Sequence, residues 1–114
     1  MKNEESIYIE TLRKLKKIFD KNKIPVWLED GTLLGAYRDK RVIKGDEFDI
    51  DIGILKSSIE KKSVRRALAR DLQKEGFYPF FFWDVMNIIK GKIGVDVILL
   101  QPTNNKDSYV KIRE

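Results

Sequence analysis

One short segment, residues 48–52, constrains the chain more than any other because it places two aspartates inside an apolar run. Asp49 and Asp51 are flanked by Phe48, Ile50 and Ile52. On a β-strand, side chains two residues apart point to the same face, with Cα atoms about 6.6 Å apart. The segment therefore predicts a strand with one apolar face and one acidic face. Two partly desolvated carboxylates repel each other, so folding alone does not favour this pattern.

A divalent cation would remove this repulsion. The chain contains no cysteine and no histidine, which excludes disulfides, thiolate nucleophiles, histidine-dependent triads and zinc bound by Cys or His. Hard cations bind oxygen ligands from carboxylates, carbonyls and water. We therefore expect Mg²⁺ or Mn²⁺ as the cofactor.

A third carboxylate, Asp96, lies within the strongly apolar segment 94–100. If a neighbouring strand brings it beside Asp49 and Asp51, the three could share two cations about 3.5–4 Å apart, as in two-metal phosphoryl-transfer sites. Asp96 could also help to deprotonate an acceptor hydroxyl. The structural alternative is a charge on an edge strand or in a salt bridge. We predict that Asp49, Asp51 and Asp96 are the catalytic and metal-binding residues.

Two further features are suited to binding phosphate. Gly31 and Thr32 form a turn in which backbone N–H groups can approach an anion; an ordinary turn with Thr32 as a helix N-cap is the alternative. A basic loop follows, in which Arg38 has the bidentate geometry that phosphate favours. We predict Gly31, Thr32, Arg38 and Lys44 as nucleotide- or phosphate-binding residues, against the alternative of a solvated loop.

Hydrophobic periodicity predicts a helix over 4–20, a short helix over 32–37, and a helix that follows a Ser57–Glu60 capping box and ends at Gly76. Strand-like runs occupy 26–28, 48–55, 77–83, 85–89, 94–100 and 109–112, and the connections within 77–100 favour antiparallel pairing. We predict an α/β (α+β) fold, a mixed sheet flanked by helices. The 114 residues fit one domain, 1–114.

The segment 77–83 is unusually aromatic. It could stack bases, but a strand buried on both faces is the interpretation that we favour; an exposed version would be an association surface. Trp27 and Leu28 are interpreted as core residues.

Composition sets further bounds. Hydrophobic residues make up 42% of the chain and charged residues 36%, as in soluble globular proteins. No apolar run is long enough to span a membrane and residues 1–5 have no signal-peptide pattern, so we expect a cytoplasmic protein. The net charge of +5 favours anionic ligands or serves solubility alone.

Residues 27–38 (WLEDGTLLGAYR), followed by Ile43 and by residues 46–53 (DEFDIDIG), together resemble the LicD family. That family includes phosphocholine transferases of bacterial surface glycans and fukutin-type proteins, within the nucleotidyltransferase-fold superfamily. The superfamily pattern is a Gly-Ser-like turn, an Asp-x-Asp strand and a later carboxylate. Gly31-Thr32, Asp49 with Asp51, and Asp96 occupy these places.

The resemblance implies a Mg²⁺-dependent transferase, and the short length of the chain resembles that of minimal nucleotidyltransferases. The enzyme would move a nucleotidyl or phosphoalcohol group, such as phosphocholine, from a nucleotide-activated small-molecule donor to a glycan or another hydroxyl acceptor. Two alternatives stay open: a small nucleotidyltransferase that acts on a protein or RNA partner, and a non-catalytic module that binds nucleotide or dimerises. A homodimer is compatible with the apolar content.

Overall fold

The computed structural model describes residues 4–29, 32, 35, 48–82, 85–102 and 109–111. The elements, in chain order, are helix α1 (Glu4–Lys21), strands β1 (Trp27–Leu28) and β2 (Asp49–Leu55), a 3₁₀ turn (Lys56–Ile59), helix α2 (Lys62–Lys74), and strands β3 (Tyr78–Phe81), β4 (Met86–Lys90), β5 (Ile93–Pro102) and β6 (Tyr109–Lys111). The predicted α/β (α+β) class is confirmed. Within these ranges, neither helix has the length and apolar content needed to cross a bilayer.

The described strands form one mixed sheet in the order β1-β2-β5-β4-β3, with β6 also paired to β5. Strands β2 and β5 run parallel, while β3, β4 and β5 form the antiparallel series that the short connections predict. A parallel pair needs a long crossover, and helix α2 lies in the segment that joins β2 to the later strands. The acidic strand and the strand that carries Asp96 are therefore direct neighbours.

The core lies on one face of this sheet. Ile50, Ile52 and Ile54 of β2 are buried there, in one cluster with apolar side chains of both helices. The residues between them in sequence point to the opposite face, because side chains alternate along a strand. We call this opposite side the carboxylate face; its residues include Asp49, Asp51, Tyr78, Phe80, Asn87, Ile89 and Asp96.

Helix α2 ends as predicted but begins differently. Gly76 has a positive φ of 85°, and the N–H groups of Gly76 and Phe77 each donate at 3.0 Å to carbonyls of the last helical turn, a Schellman ending. The predicted Ser57–Glu60 capping box is wrong, because Ser57 belongs to the 3₁₀ turn and α2 begins at Lys62 without a side-chain cap.

Arg65 satisfies carbonyl groups at the end of the 3₁₀ turn rather than N–H groups of the helix. Its Nη1 donates to the carbonyls of Ile59 and Glu60 at 2.7 and 2.6 Å. Strand β2 leads directly into the 3₁₀ turn, so the carbonyls of this turn need donors that a helix N-cap would not supply.

The aromatic strand and Trp27 also differ from expectation. Tyr78 is 62% exposed and Phe80 44% exposed, so the prediction of a strand buried on both faces is wrong. Strand β3 is the last strand at one side of the sheet order, and only its alternate residues turn toward the core. Leu28 packs against the core, whereas Trp27 is half-buried and lies opposite Gly53 on the carboxylate face.

Candidate active site

The register of β2 and β5 brings the predicted acidic residues to one face. Asp51 lies directly opposite Asp96, and Asp49 lies opposite Gly94. Neighbouring strands are about 4.8 Å apart, and paired residues point to the same side. Asp49 and Asp96 are exposed and Asp51 is half-buried. An edge-strand position for Asp96 is wrong, because β5 pairs with β2 and with β4.

The acidic side chains are of the chemical type that binds hard cations. Carboxylate oxygens are the ligands that Mg²⁺ uses, and Mg²⁺ usually keeps several waters and takes substrate phosphates as its remaining ligands. In the part of the chain that the structure describes, no group of three or more acidic side chains is gathered closely enough to hold a metal ion. The residues present thus fit a cation whose ligands are the carboxylates of Asp51 and Asp96 together with substrate and water. The three-residue metal site stays a prediction.

The backbone of Asp51 is held on both sides. Its N–H donates to Thr32 Oγ1 at 2.8 Å, and its carbonyl accepts from the N–H of Glu29 at 3.0 Å. Thr32 is buried and also hydrogen-bonds the hydroxyl of Tyr8 on α1 at 2.9 Å. Thr32 therefore links the acidic strand to the first helix.

This arrangement changes the role that is open to Thr32. Because its hydroxyl is engaged by Asp51 and Tyr8, phosphate binding by this turn would have to use backbone N–H groups. The other predicted phosphate-binding residues, Gly31, Arg38 and Lys44, lie outside the described residues, as does most of the predicted 32–37 helix. Those predictions stay predictions.

Asn87 is a site residue that sequence reasoning missed. It lies opposite Asp96 in the register of β4 and β5. With the amide nitrogen turned toward the carboxylate, Asn87 donates to Asp96 Oδ1 at 2.8 Å and to the carbonyl of Met86 at 3.2 Å. Asn87 therefore fixes one oxygen of Asp96. A polar residue between buried Met86 and Ile88 was the available signal.

Glu29 is a second residue that the sequence did not single out. Its Oε1 accepts from Trp27 Nε1 at 2.7 Å. Both side chains lie over Gly53, where an added Cβ would come within 2.5 Å of Trp27 Nε1 and 2.9 Å of Glu29 Oε1. Gly53 points to the same face as Asp51, so its missing side chain makes room for another carboxylate beside the acidic residues.

Comparison with known proteins identifies the family. Residues 23–110 match the family model described as LicD/FKTN/FKRP, nucleotidyltransferase domain. The chain belongs to this LicD family. The resemblance inferred from residues 27–53 is thereby confirmed.

Two rickettsial proteins are similar to this LicD-family chain. It is 31% identical over 107 residues to uncharacterized protein RP689 of Rickettsia prowazekii (strain Madrid E), a match that covers 94% of the chain and 38% of that protein. It is 42% identical over 50 residues to uncharacterized protein RT0683 of Rickettsia typhi (strain ATCC VR-144 / Wilmington), covering 44% of the chain and 16% of that protein. The chain thus spans well under half the length of these relatives.

Solved nucleotidyltransferase structures share the fold. The solution structure of the antibiotic-resistance factor ANT(2'')-Ia has a TM-score of 0.67 at 14% identity, over 96% of this chain and 54% of that one. The crystal structure of ANT(2'')-Ia with adenylyl-2''-tobramycin has a TM-score of 0.60 at 17% identity, over 92% and 55%. Terminal uridylyl transferase 4 from Trypanosoma brucei with bound GTP has a TM-score of 0.56 at 15% identity, over 86% and 31%.

Proposed function

We propose that this LicD-family domain is a metal-dependent transferase that moves a nucleotidyl or phosphoalcohol group, such as phosphocholine, from a nucleotide-activated donor to a hydroxyl acceptor. The observation that carries the proposal is the in-register pair Asp51–Asp96 with Asp49 on the same face. The family match and the shared fold support the same class of chemistry.

In this proposal the acidic residues have distinct roles. Asp51 and Asp96 would hold Mg²⁺ or Mn²⁺ together with substrate and water, with Asp49 on the same face as a further ligand, and the ion would neutralise phosphate charge. Asp96 also accepts the proton of the attacking hydroxyl. The loop residues Arg38 and Lys44 contact donor phosphates.

In the group-transfer step, the acceptor oxygen forms a bond to a donor phosphorus, and the bond from that phosphorus to its bridging oxygen breaks. The hydroxyl proton goes to Asp96. The leaving group departs as a nucleoside monophosphate when a phosphoalcohol is moved, or as pyrophosphate when a nucleotidyl group is moved from a nucleoside triphosphate.

Thermal unfolding with Mg²⁺ and a panel of donors, including a cytidine-diphosphate alcohol and the nucleoside triphosphates, tests the proposal. We expect a donor that raises Tm only when Mg²⁺ is present, and we expect Asp51→Asn to abolish this rise. Asp20→Asn is the matched control, because Asp20 is an exposed carboxylate of α1 that pairs with Lys16. Stabilisation that survives in Asp51→Asn would contradict the proposal.

A labelled donor then separates the acceptor classes. Transfer of label to a glycan or a small hydroxyl compound supports the proposed reaction. Transfer to protein or RNA would instead assign a macromolecular acceptor. Absence of transfer to every class, together with absence of donor binding, would leave the non-catalytic alternative.

A further inference from the structure

The carboxylates belong to a continuous row of residues across the sheet. On the carboxylate face, Phe80 of β3 lies opposite Asn87 of β4, Asn87 lies opposite Asp96 of β5, and Asp96 lies opposite Asp51 of β2. The adjacent row contains Tyr78, Ile89, Gly94 and Asp49 in the same strand order. One surface therefore runs without interruption from the acidic residues to an apolar region.

This apolar region, which we call the aromatic ridge, consists of Tyr78, Phe80 and Ile89. Their side chains are 62%, 44% and 44% exposed. At about 4.8 Å between strands, Phe80 lies about 9.6 Å from Asp96 along the row. Large apolar side chains grouped on an exposed surface beside a candidate active site are typical of a binding surface.

The charges of the two rows restrict what can bind there. Their charged members are the carboxylates alone, and neither row contains lysine or arginine. In the proposed function the donor phosphates bind the cation that the carboxylates hold, and the ridge itself carries no positive charge for them. A neutral ring with an apolar C–H face and hydroxyls at its edge, such as a sugar, can lie on the aromatic side chains.

Asp96 is the acidic residue nearest to the ridge. A hydroxyl at the edge of a ring that lies on Phe80 would extend over Asn87 toward Asp96. We propose that the aromatic ridge is the acceptor subsite and binds a neutral, hydroxyl-bearing ring of the sugar class. The inference rests on the proposed function, since it assigns the acceptor of that reaction to this surface.

Two other occupants of the ridge are physically reasonable and give different results. A nucleobase also stacks on aromatic side chains, and a second copy of the chain could pair with β3, which lies at the end of the sheet order. The first would make the ridge a donor subsite, and the second would make it a dimer interface.

NMR of the isotope-labelled chain tests the inference without requiring turnover. A panel of neutral methyl glycosides is titrated in one series, and cytidine monophosphate with Mg²⁺ in another. We expect at least one glycoside to shift the resonances of Tyr78, Phe80 and Ile89 in a saturable manner, while the nucleotide leaves them unchanged. The double substitution Tyr78→Ala and Phe80→Ala should weaken glycoside binding about tenfold or more.

Ile7→Ala is the matched control, because Ile7 is 43% exposed on α1 and lies outside both rows. It should leave glycoside binding unchanged. Ridge shifts caused by the nucleotide, glycoside shifts confined to other residues, or no glycoside binding at all would each overturn the inference. So would a dimer, measured by sedimentation, that Phe80→Ala converts to monomer.

The two proposals fail in different ways. If Mg²⁺-dependent donor binding is absent while glycosides still shift the ridge, the transferase proposal fails and the ridge is still a sugar-binding surface. If the donor binds and Asp51→Asn abolishes that binding while no glycoside contacts the ridge, the acceptor assignment fails and the transferase proposal stands.

Discussion

Asp51 is positioned by its backbone before its carboxylate makes any contact with a ligand. Thr32 accepts from its N–H and Glu29 donates to its carbonyl, so two neighbours fix the peptide groups on either side of the side chain. A binding side chain whose backbone is already held in place loses less conformational entropy when a charged substrate binds. We therefore expect substitution of the buried Thr32 to affect the acidic strand.

Replacing Thr32 by valine keeps the shape of the side chain but removes the acceptor for the N–H of Asp51. A polar group left unpaired in a partly buried site costs about 1–3 kcal/mol, and we expect the free energy of unfolding in urea to fall by this amount. Tyr8→Phe, which removes only the hydroxyl that contacts Thr32, should cost less. Equal stability of Thr32→Val and the wild type would contradict this account.

Asn87 acts on Asp96 in a comparable way, through one side-chain hydrogen bond. A hydrogen bond to a charged group contributes about 1.5–3 kcal/mol, so Asn87→Ala should lower kcat by about tenfold or more if the orientation of Asp96 matters for proton transfer. The KM for the donor should change less. Steady-state kinetics of the transfer reaction measure both.

Asn87→Asp separates orientation from simple packing. The substitution nearly preserves the shape of the side chain but removes the N–H donor and places a second negative charge beside Asp96. We therefore expect Asn87→Asp to lower kcat at least as much as Asn87→Ala does, whereas a packing role alone would leave the kcat of Asn87→Asp near that of the wild type. An unchanged kcat in both variants would show that Asn87 has no positioning role.

At the scale of elements, the parallel pairing of β2 and β5 positions the carboxylates. A glycine of β2 determines which side chains can lie next to them. Gly53 leaves space that Trp27 and Glu29 occupy. The hydrogen bond between these two side chains closes over the strand at 2.7 Å. The short strand β1 is therefore tied to β2 by side chains as well as by its backbone ladder.

Gly53→Ala should disrupt this packing. The added Cβ would meet Trp27 Nε1 at 2.5 Å, a contact that forces side chains to shift, and overpacking of this kind costs about 1–3 kcal/mol. The free energy of unfolding measures the effect. Gly94→Ala is the control on the neighbouring strand, because an added Cβ there meets nothing within 4 Å; if both substitutions cost the same, steric conflict is not the cause.

At the scale of the whole molecule, the two helices are joined by a polar contact on the side of the sheet away from the carboxylates. Asn22 Nδ2, just beyond α1, donates to the carbonyl of Ile18 at 2.9 Å and to Asp71 Oδ2 of α2 at 3.0 Å. Lys21 Nζ adds a longer contact of 3.4 Å to Asp71. The hydrogen bond from Asn22, followed by the nearby Lys21, holds the pKa of Asp71 below its usual value of 3.8.

The lowered pKa predicts how this contact depends on pH. Because the folded state binds the proton of Asp71 less tightly than the unfolded state does, the contact stabilises the fold above the usual aspartate pKa. The stabilisation is lost as pH falls through the lowered pKa. Asn22→Ala should reduce stability at neutral pH and make the loss in acid shallower, as measured by urea unfolding across the acid range. An acid dependence identical to that of the wild type would contradict this assignment.

The local features of this domain could be predicted from its amino-acid sequence. The period of two along residues 49–55 places Asp49 and Asp51 on one face, and the conformational freedom of Gly76 ends α2. The apolar periodicity of α1 and α2 marks the sides that pack on the sheet. These features could be predicted because each depends on residues that are close together in the chain.

Which distant residues meet could be seen only in the folded chain. The register that sets Asp51 against Asp96, the amide of Asn87 on that carboxylate, and the exposure of Tyr78 and Phe80 all depend on strand order. Spacing within one segment carries no information about its partner on the next strand. For the same reason the expected burial of the aromatic strand was wrong: whether other parts of the chain cover the second face of a strand is a property of the whole fold.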